Sequence, residues 1–251
     1  MIQNKIQEVS KLLLKSKYLV AFTGAGVSVE SGIPPFRGDD GLYNQYDPRT
    51  LEIDYYYQYP EKSWQVIKEI FYDFFEQKHP NEGHKTLAKW ESEGLLKALI
   101  TQNIDNLHAL AGSETVFEFH GNSSRLVCSQ CRSYFQVKDM ILNNKPPTCP
   151  KCKFILKPDF VFFGEGIPQD AYNKSFNAAS KCDLFFIIGT SGDVAPANFL
   201  PEIAKNQGAT IIEINREPSK YTSHTTDIFL QGKSGEILPE IDKYFQKLIY
   251  E

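Results

Sequence analysis

The chain has 251 residues, 41% of them hydrophobic and 13% aromatic, and a net charge of -4 at pH 7. That suits one substantial core, or a core domain with a smaller insert, and the acidic balance argues against a broad phosphate-seeking surface and so against a nucleic-acid partner. Apolar runs such as Leu184–Ile188 are far too short to cross a bilayer and residues 1–8 hold no continuous apolar stretch, so neither a membrane partner nor secretion is expected, and a cytoplasmic location is.

From the N-terminus, Ile2, Ile6, Val9, Leu12 and Leu13 recur at helical spacing, so an amphipathic helix opens the chain. It leads into a short buried strand, Tyr18–Thr23, that ends on the turn Gly24-Ala25-Gly26-Val27-Ser28. Strand, glycine turn and helix form the setting in which backbone amides cradle a phosphate. Val29 stands where a dehydrogenase fingerprint has its third glycine, so the turn also reads as a tight connection with no ligand. The loop Ser31–Gly38 suits a flap over a phosphate-bearing ligand: Arg37 offers a fork to phosphate or ribose, and Phe36 excludes water. Residues 39–80 are rich in Tyr and Phe. They contain a helix with Trp64, Ile67, Ile70, Phe71, Phe74 and Phe75 on one face, ended by Pro80.

A helical pattern over Asn81–Glu93 precedes a buried strand, Leu96–Thr101, which runs into Gln102-Asn103-Ile104-Asp105. At the carboxyl end of a parallel strand these amides and this carboxylate can hydrogen-bond a ribose and a carboxamide. Equally, Asn103 or Asp105 can cap the next helix. After the strand Val116–Phe119, His120 is the one histidine of five that leaves a buried strand directly into a glycine. Its imidazole titrates near neutral pH and can take a proton from a hydroxyl, although a lone strand-end histidine can also be structural.

Cys128-Ser-Gln-Cys131 and Cys149-Pro-Lys-Cys152 are two knuckles separated by seventeen residues, a spacing that closes a tetrahedral zinc ribbon. With no export signal, thiols and metal are expected rather than disulfides. Cys182, outside this set, reads as a buried structural thiol. A helix over Asp170–Ser180 and strands Leu184–Gly189 and Thr210–Ile214 complete a strand–helix alternation. The expectation is an α/β fold, a Rossmann-type parallel sheet domain with a small inserted zinc-binding domain. Residues 1–38, 81–121 and 159–251 would form the sheet domain, 39–80 the helical part of the small domain with the cofactor loop, and 122–158 the zinc ribbon.

The motifs Gly24–Ser28 with Ser31–Pro34, Thr101–Asp105, His120-Gly121, the four knuckle cysteines, Lys157–Glu165 and Gly189–Ser191 follow one another in an order that resembles the sirtuins, NAD-dependent protein lysine deacylases. The resemblance runs from about residue 10 to about residue 245. It implies that NAD and an acyl-lysine protein enter a cleft between the two domains from opposite sides. Ala25 and Gly26 would approach the pyrophosphate beside Gly24, with Arg37 near it and Phe36 over the nicotinamide ribose. Gln102, Asn103 and Asp105 would hold ribose and carboxamide, with Ile104 lining that pocket, Thr190 and Ser191 at the phosphate–ribose region and Asn215 at the adenosine. His120, with Asn103 beside it, would be catalytic, His120 as the base that activates a ribose hydroxyl. Val161 and Phe163 would flank the acyl-lysine, and the peptide would add as a strand between Gly164-Glu165 and Val194. Nicotinamide, free lysine and O-acyl-ADP-ribose would be the products, and the zinc would be structural, since four cysteines leave no open position for water.

Three positions depart from the resemblance. Pro35 stands where an acidic residue is usual, and Gly192 where many relatives carry Leu. Tyr72-Asp-Phe-Phe75 lacks the arginine of the desuccinylating Tyr-x-x-Arg set, so acetyl or longer apolar acyl groups are expected over succinyl. The rival enzyme on the same site is an ADP-ribosyltransferase or NAD hydrolase. The rival of another class is a zinc-ribbon nucleic-acid adaptor, which the acidic charge opposes.

Overall fold

The computed structural model describes residues 2–36, 41–75 and 77–250. It opens with α1 (Ile2–Lys15) and β1 (Leu19–Thr23), and the aromatic-rich stretch then forms α2 (Ile53–Gln58) and α3 (Pro60–Ile67). Next come α4 (Glu82–Ser92), β2 (Leu96–Thr101), the single turn α5 (Leu107–Leu110) and β3 (Val116–Glu118). A small antiparallel sheet follows: β4 (Gly121–Cys128), β5 (Tyr134–Gln136) and β6 (Leu156–Phe160). The chain closes with α6 (Gln169–Lys181), β7 (Leu184–Ile188), α7 (Leu200–Asn206), β8 (Thr210–Asn215), β9 (Ile228–Gln231) and α8 (Ser234–Tyr250).

Six strands make one parallel sheet in the order β3-β2-β1-β7-β8-β9. Every residue of β1 and β7 is buried, as a sheet covered on both faces requires. One face packs Leu13, Trp90, Leu238 and Phe245 from α1, α4 and α8; the other packs Ala179 and Leu200 from α6 and α7. The strand order reverses direction between β1 and β7, and a crevice opens there at the carboxyl ends.

Tyr56, Trp64, Ile67 and Phe71 share a third core with Leu126, Leu156, Phe160 and Phe162. The aromatic-rich stretch and the cysteine-bearing stretch are thus two halves of one small lobe. The expected apolar stripe holds through Phe71, but Phe74 is 40% exposed. Here α3 passes into a π-helical stretch, Lys68–Asp73, in which Phe74 N donates to Glu69 O at 3.2 Å. Bonds from i to i+5 put more residues in each turn, so a stripe written for 3.6 residues slips off the buried face. The π-helical span ends at Asp73, its last bond coming from Phe74 N, ahead of Pro80.

Candidate active site

Thr23 at the end of β1 lies beside Ile188 at the end of β7, and the two following turns pack backbone on backbone. Gly24 N donates to Ile188 O at 3.0 Å and Gly26 N to Gly189 O at 2.8 Å. A Cβ on Gly24 would stand 2.7 Å from Thr190 Cβ, and one on Gly26 2.6 Å from Gly189 Cα. Both glycines are therefore required by packing alone, and the turn continues as a 3₁₀ helix, Ala25–Ser31, rather than the expected α-helix. Of the three turn residues, Ala25 keeps an amide with no partner among the described residues.

These turns form one wall of a cavity of about 950 Å³, in the size range of small-molecule sites. The sheet domain supplies Gly24, Ala25, Gly26, Gln102, Asn103, Ile104, Thr190, Ser191 and Asn215. The other wall comes from the small lobe and the segment after it: Phe36, Val161, Phe163, Gly164 and Glu165; Val194, after β7, also lines the cavity. His120 stands at the junction of the two. Arg37 lies outside the described residues.

His120 Nδ1 is 3.1 Å from Gln102 O. A carbonyl only accepts, so Nδ1 carries the hydrogen and Nε2 keeps a free lone pair. Burial lowers the imidazole's pKa below its ordinary value, with the Gln102 bond partly opposing, so the ring is neutral at neutral pH. Behind it, Val161 N donates to His120 O at 2.8 Å.

Asn103 is buried, its Nδ2 donating to Gly24 O and to Ser28 Oγ, each at 3.1 Å. Gln102 Nε2 donates to Thr190 Oγ1 at 2.9 Å, and Asn215 Nδ2 to Thr190 O at 3.1 Å. Asp105 is the one described residue of the expected set that does not line the cavity. One carboxylate oxygen accepts from Ser28 Oγ at 2.6 Å and the other from Leu107 N at 2.9 Å, so it holds the first amide of α5 and braces the glycine turn. Burial pushes its carboxyl upward against those bonds.

Sequence reasoning missed Phe71 and the turn Gly232-Lys233-Ser234 as cavity residues. Phe71 had been legible only as one of a helix stripe; its ring lies 5.0 Å from Phe160 and 6.4 Å from Phe36. Tyr72, the position compared with the desuccinylating set, turns away from the cavity onto Trp64, ring to ring at 5.6 Å. Gly192 has a local cause: a Cβ there would stand 2.9 Å from the buried Tyr221 ring, so leucine does not fit.

The knuckle cysteines converge, with all four Sγ atoms within 4.8 Å of one another. Cys128 and Cys152 are 3.4 Å apart and Cys131 and Cys149 3.6 Å, close to the roughly 3.8 Å edge of a tetrahedron with 2.3 Å Zn–S bonds. The two knuckles fold alike: Arg132 N donates to Cys128 O and Lys153 N to Cys149 O, at 2.8 and 2.9 Å. None of the four lines the cavity, so a zinc held there braces the lobe and stays out of the reaction.

A cleft at the switch point of a parallel sheet, closed by a cysteine-stapled lobe, defines a nucleotide-binding α/β enzyme. The Sir2 family profile matches residues 24–196. An NAD-dependent protein deacylase of Pyrococcus furiosus is 44% identical over 247 residues, which cover 96% of this chain and 98% of that protein. A mutant Sir2 homologue in complex with ADP ribose superposes with a TM-score of 0.92 at 39% identity, covering 97% of each chain. A Sir2 complex with a p53 peptide and NAD+ superposes at 0.87 with 34% identity, covering 96% of this chain and 98% of that one. The chain belongs to the Sir2 family.

Proposed function

We propose that this chain is an NAD-dependent protein deacylase that moves the acyl group of an acyl-lysine onto ADP-ribose, releasing nicotinamide, free lysine and O-acyl-ADP-ribose. Bound NAD would supply the acyl acceptor: the amide oxygen of the acyl-lysine would bond to the ribose carbon as that carbon's bond to nicotinamide breaks, and one water would be consumed in freeing the lysine. One observation carries the reading: a neutral imidazole with a free Nε2 sits in the same cavity as the glycine turn on one wall and an apolar ledge on the other.

The Ala25 amide is free to meet phosphate at that turn, which Gly24 and Gly26 let pack tightly against Gly189 and Thr190. Gln102, Asn103 and Ile104 take the ribose and nicotinamide, Thr190 and Ser191 the phosphate–ribose region and Asn215 the adenosine side. Asp105 acts on this set through Ser28 rather than by touching the ligand. Phe36 covers the nicotinamide ribose and keeps water out. His120 takes the proton of a ribose hydroxyl, which then attacks the acyl carbon.

Val161 and Phe163 flank the acyl-lysine. Gly164, whose amide and carbonyl have no partner among the described residues, receives the peptide backbone opposite Val194, beside Glu165. The only described cations lining the cavity, Arg216 and Lys233, both belong to the sheet domain. A succinyl carboxylate against Phe71, Phe160 and Phe163 would be buried without a described cation, so acetyl or longer apolar groups are favoured.

Mass spectrometry of products from NAD and acetyl-, succinyl- and myristoyl-lysine peptides tests both levels. O-acyl-ADP-ribose formed in step with free lysine, and only with acylated peptide, is expected. NAD loss without peptide would support the hydrolase or ADP-ribosyltransferase alternative, and faster desuccinylation would contradict the acyl preference.

A further inference from the structure

We propose that Lys157 is a positioning residue for the acylated peptide, its ammonium holding the backbone from Phe160 to Glu165 in the one shape that leaves Gly164 free to pair with an added strand. The proposal rests on the deacylase reading and extends it to a residue outside the cavity lining.

Lys157 is 7% exposed, on β6. Its three N–H donors are matched by three acceptors: Pro158 O at 2.9 Å, Phe160 O at 3.0 Å and Glu165 Oε2 at 3.0 Å. The same nitrogen lies 4.7 Å from the centre of the Phe162 ring. Glu165 Oε2 accepts in addition from Phe162 N at 2.9 Å, while Glu165 N returns to Phe162 O at 3.0 Å. Val161 N is bound to His120 O and Phe163 N to Leu51 O, at 2.8 and 2.9 Å. From Val161 to Glu165, every amide but that of Gly164 is thus taken.

A buried charge costs several kcal/mol unless it is paired, and a strand end that only needed filling would be served as well by an apolar residue. What the ammonium adds is a single point to which two carbonyls and a carboxylate converge. Those acceptors lie on both sides of the Val161–Phe163 stretch that lines the cavity, and that stretch is also bonded to the His120 backbone. Burial draws the lysine's pKa down and Glu165 draws it up.

The test uses the full-length, zinc-loaded protein and an acetyl-lysine peptide. KM is measured separately for peptide and NAD, and peptide Kd by calorimetry. Lys157→Met is expected to raise peptide KM and Kd about tenfold or more, the scale of a lost charge-assisted hydrogen bond, with NAD KM changed less than twofold. Lys157→Arg, which keeps the charge and several donors, is expected to restore most of the peptide affinity. Peptide and NAD constants moving together would reduce Lys157 to a stability role, and an unchanged peptide constant would overturn the proposal outright. Should the Met variant not fold, Lys157→Gln carries the same comparison. A wild type without turnover would sink the deacylase reading instead, and peptide Kd would still decide Lys157.

Discussion

Gly121→Ala probes the packing behind His120, and Gly94→Ala supplies its control. Both glycines have φ near +74°, where a side chain costs about 1–2 kcal/mol. They differ in surroundings. A Cβ on Gly94, in the turn between α4 and β2, meets nothing within 4 Å. A Cβ on Gly121 would overlap Asp159 O and stand 2.8 Å from Phe160 Cα, backbone atoms of β6 that cannot rotate aside. Overpacking of that kind adds about 1–3 kcal/mol, giving about 2–5 kcal/mol in all. At about 2–4 °C per kcal/mol for a chain of this size, Gly121→Ala should lower Tm by about 4–20 °C and Gly94→Ala by about 2–8 °C. Because β4 must move to relieve the overlap, His120 moves with it. Turnover well below both midpoints should therefore fall about tenfold or more in Gly121→Ala and stay within twofold in Gly94→Ala. Thermal unfolding followed by circular dichroism at one protein and zinc concentration gives the first readout, and product formation the second. Equal Tm losses in the two variants, or unaltered turnover in Gly121→Ala, would refute the packing argument.

His120→Ala should lower turnover by about 10²–10⁴-fold while zinc content and NAD affinity are retained; near-normal turnover by the folded variant would remove the base assignment. The base works only when neutral and burial lowers its pKa, so kcat/KM should be full at neutral pH and fall only as pH drops through a value below about 6.5. An acid limb centred above that value would contradict the burial argument. Cys128→Ala should release zinc and leave the small lobe protease-sensitive, since metal binding and folding of such a lobe are one equilibrium; an active, zinc-free variant would remove the structural role.

The sequence alone was enough for five strands of the six-stranded sheet and for the staple. Runs such as Leu19–Thr23 and Leu184–Ile188 announce themselves because a strand buried on both faces must be apolar nearly throughout. The zinc knuckles are legible because two Cys-x-x-Cys turns carry their own geometry, which needs no distant partner. Gly24 and Gly26 were legible too, though their reason was not: the atoms that exclude a side chain belong to Gly189 and Thr190, far along the chain.

What tertiary structure decided follows the same rule. Of the strands β4, β5, β6 and β9, the first is mixed in polarity, as in Gly121-Asn-Ser-Ser-Arg, and β5 and β9 are only three and four residues long; they pair because the lobe and the sheet edge present them with partners. Phe71 faces the cavity while Phe74 turns outward, a division set by a π-helical stretch that 3.6-residue spacing does not anticipate. Asp105 sits within the motif but braces Ser28 and α5, a choice between two hydrogen-bonding roles that only the position of Ser28 settles. Local periodicity and chelating spacing live in the chain itself; which face of a residue meets the cleft depends on contacts made by segments remote in sequence.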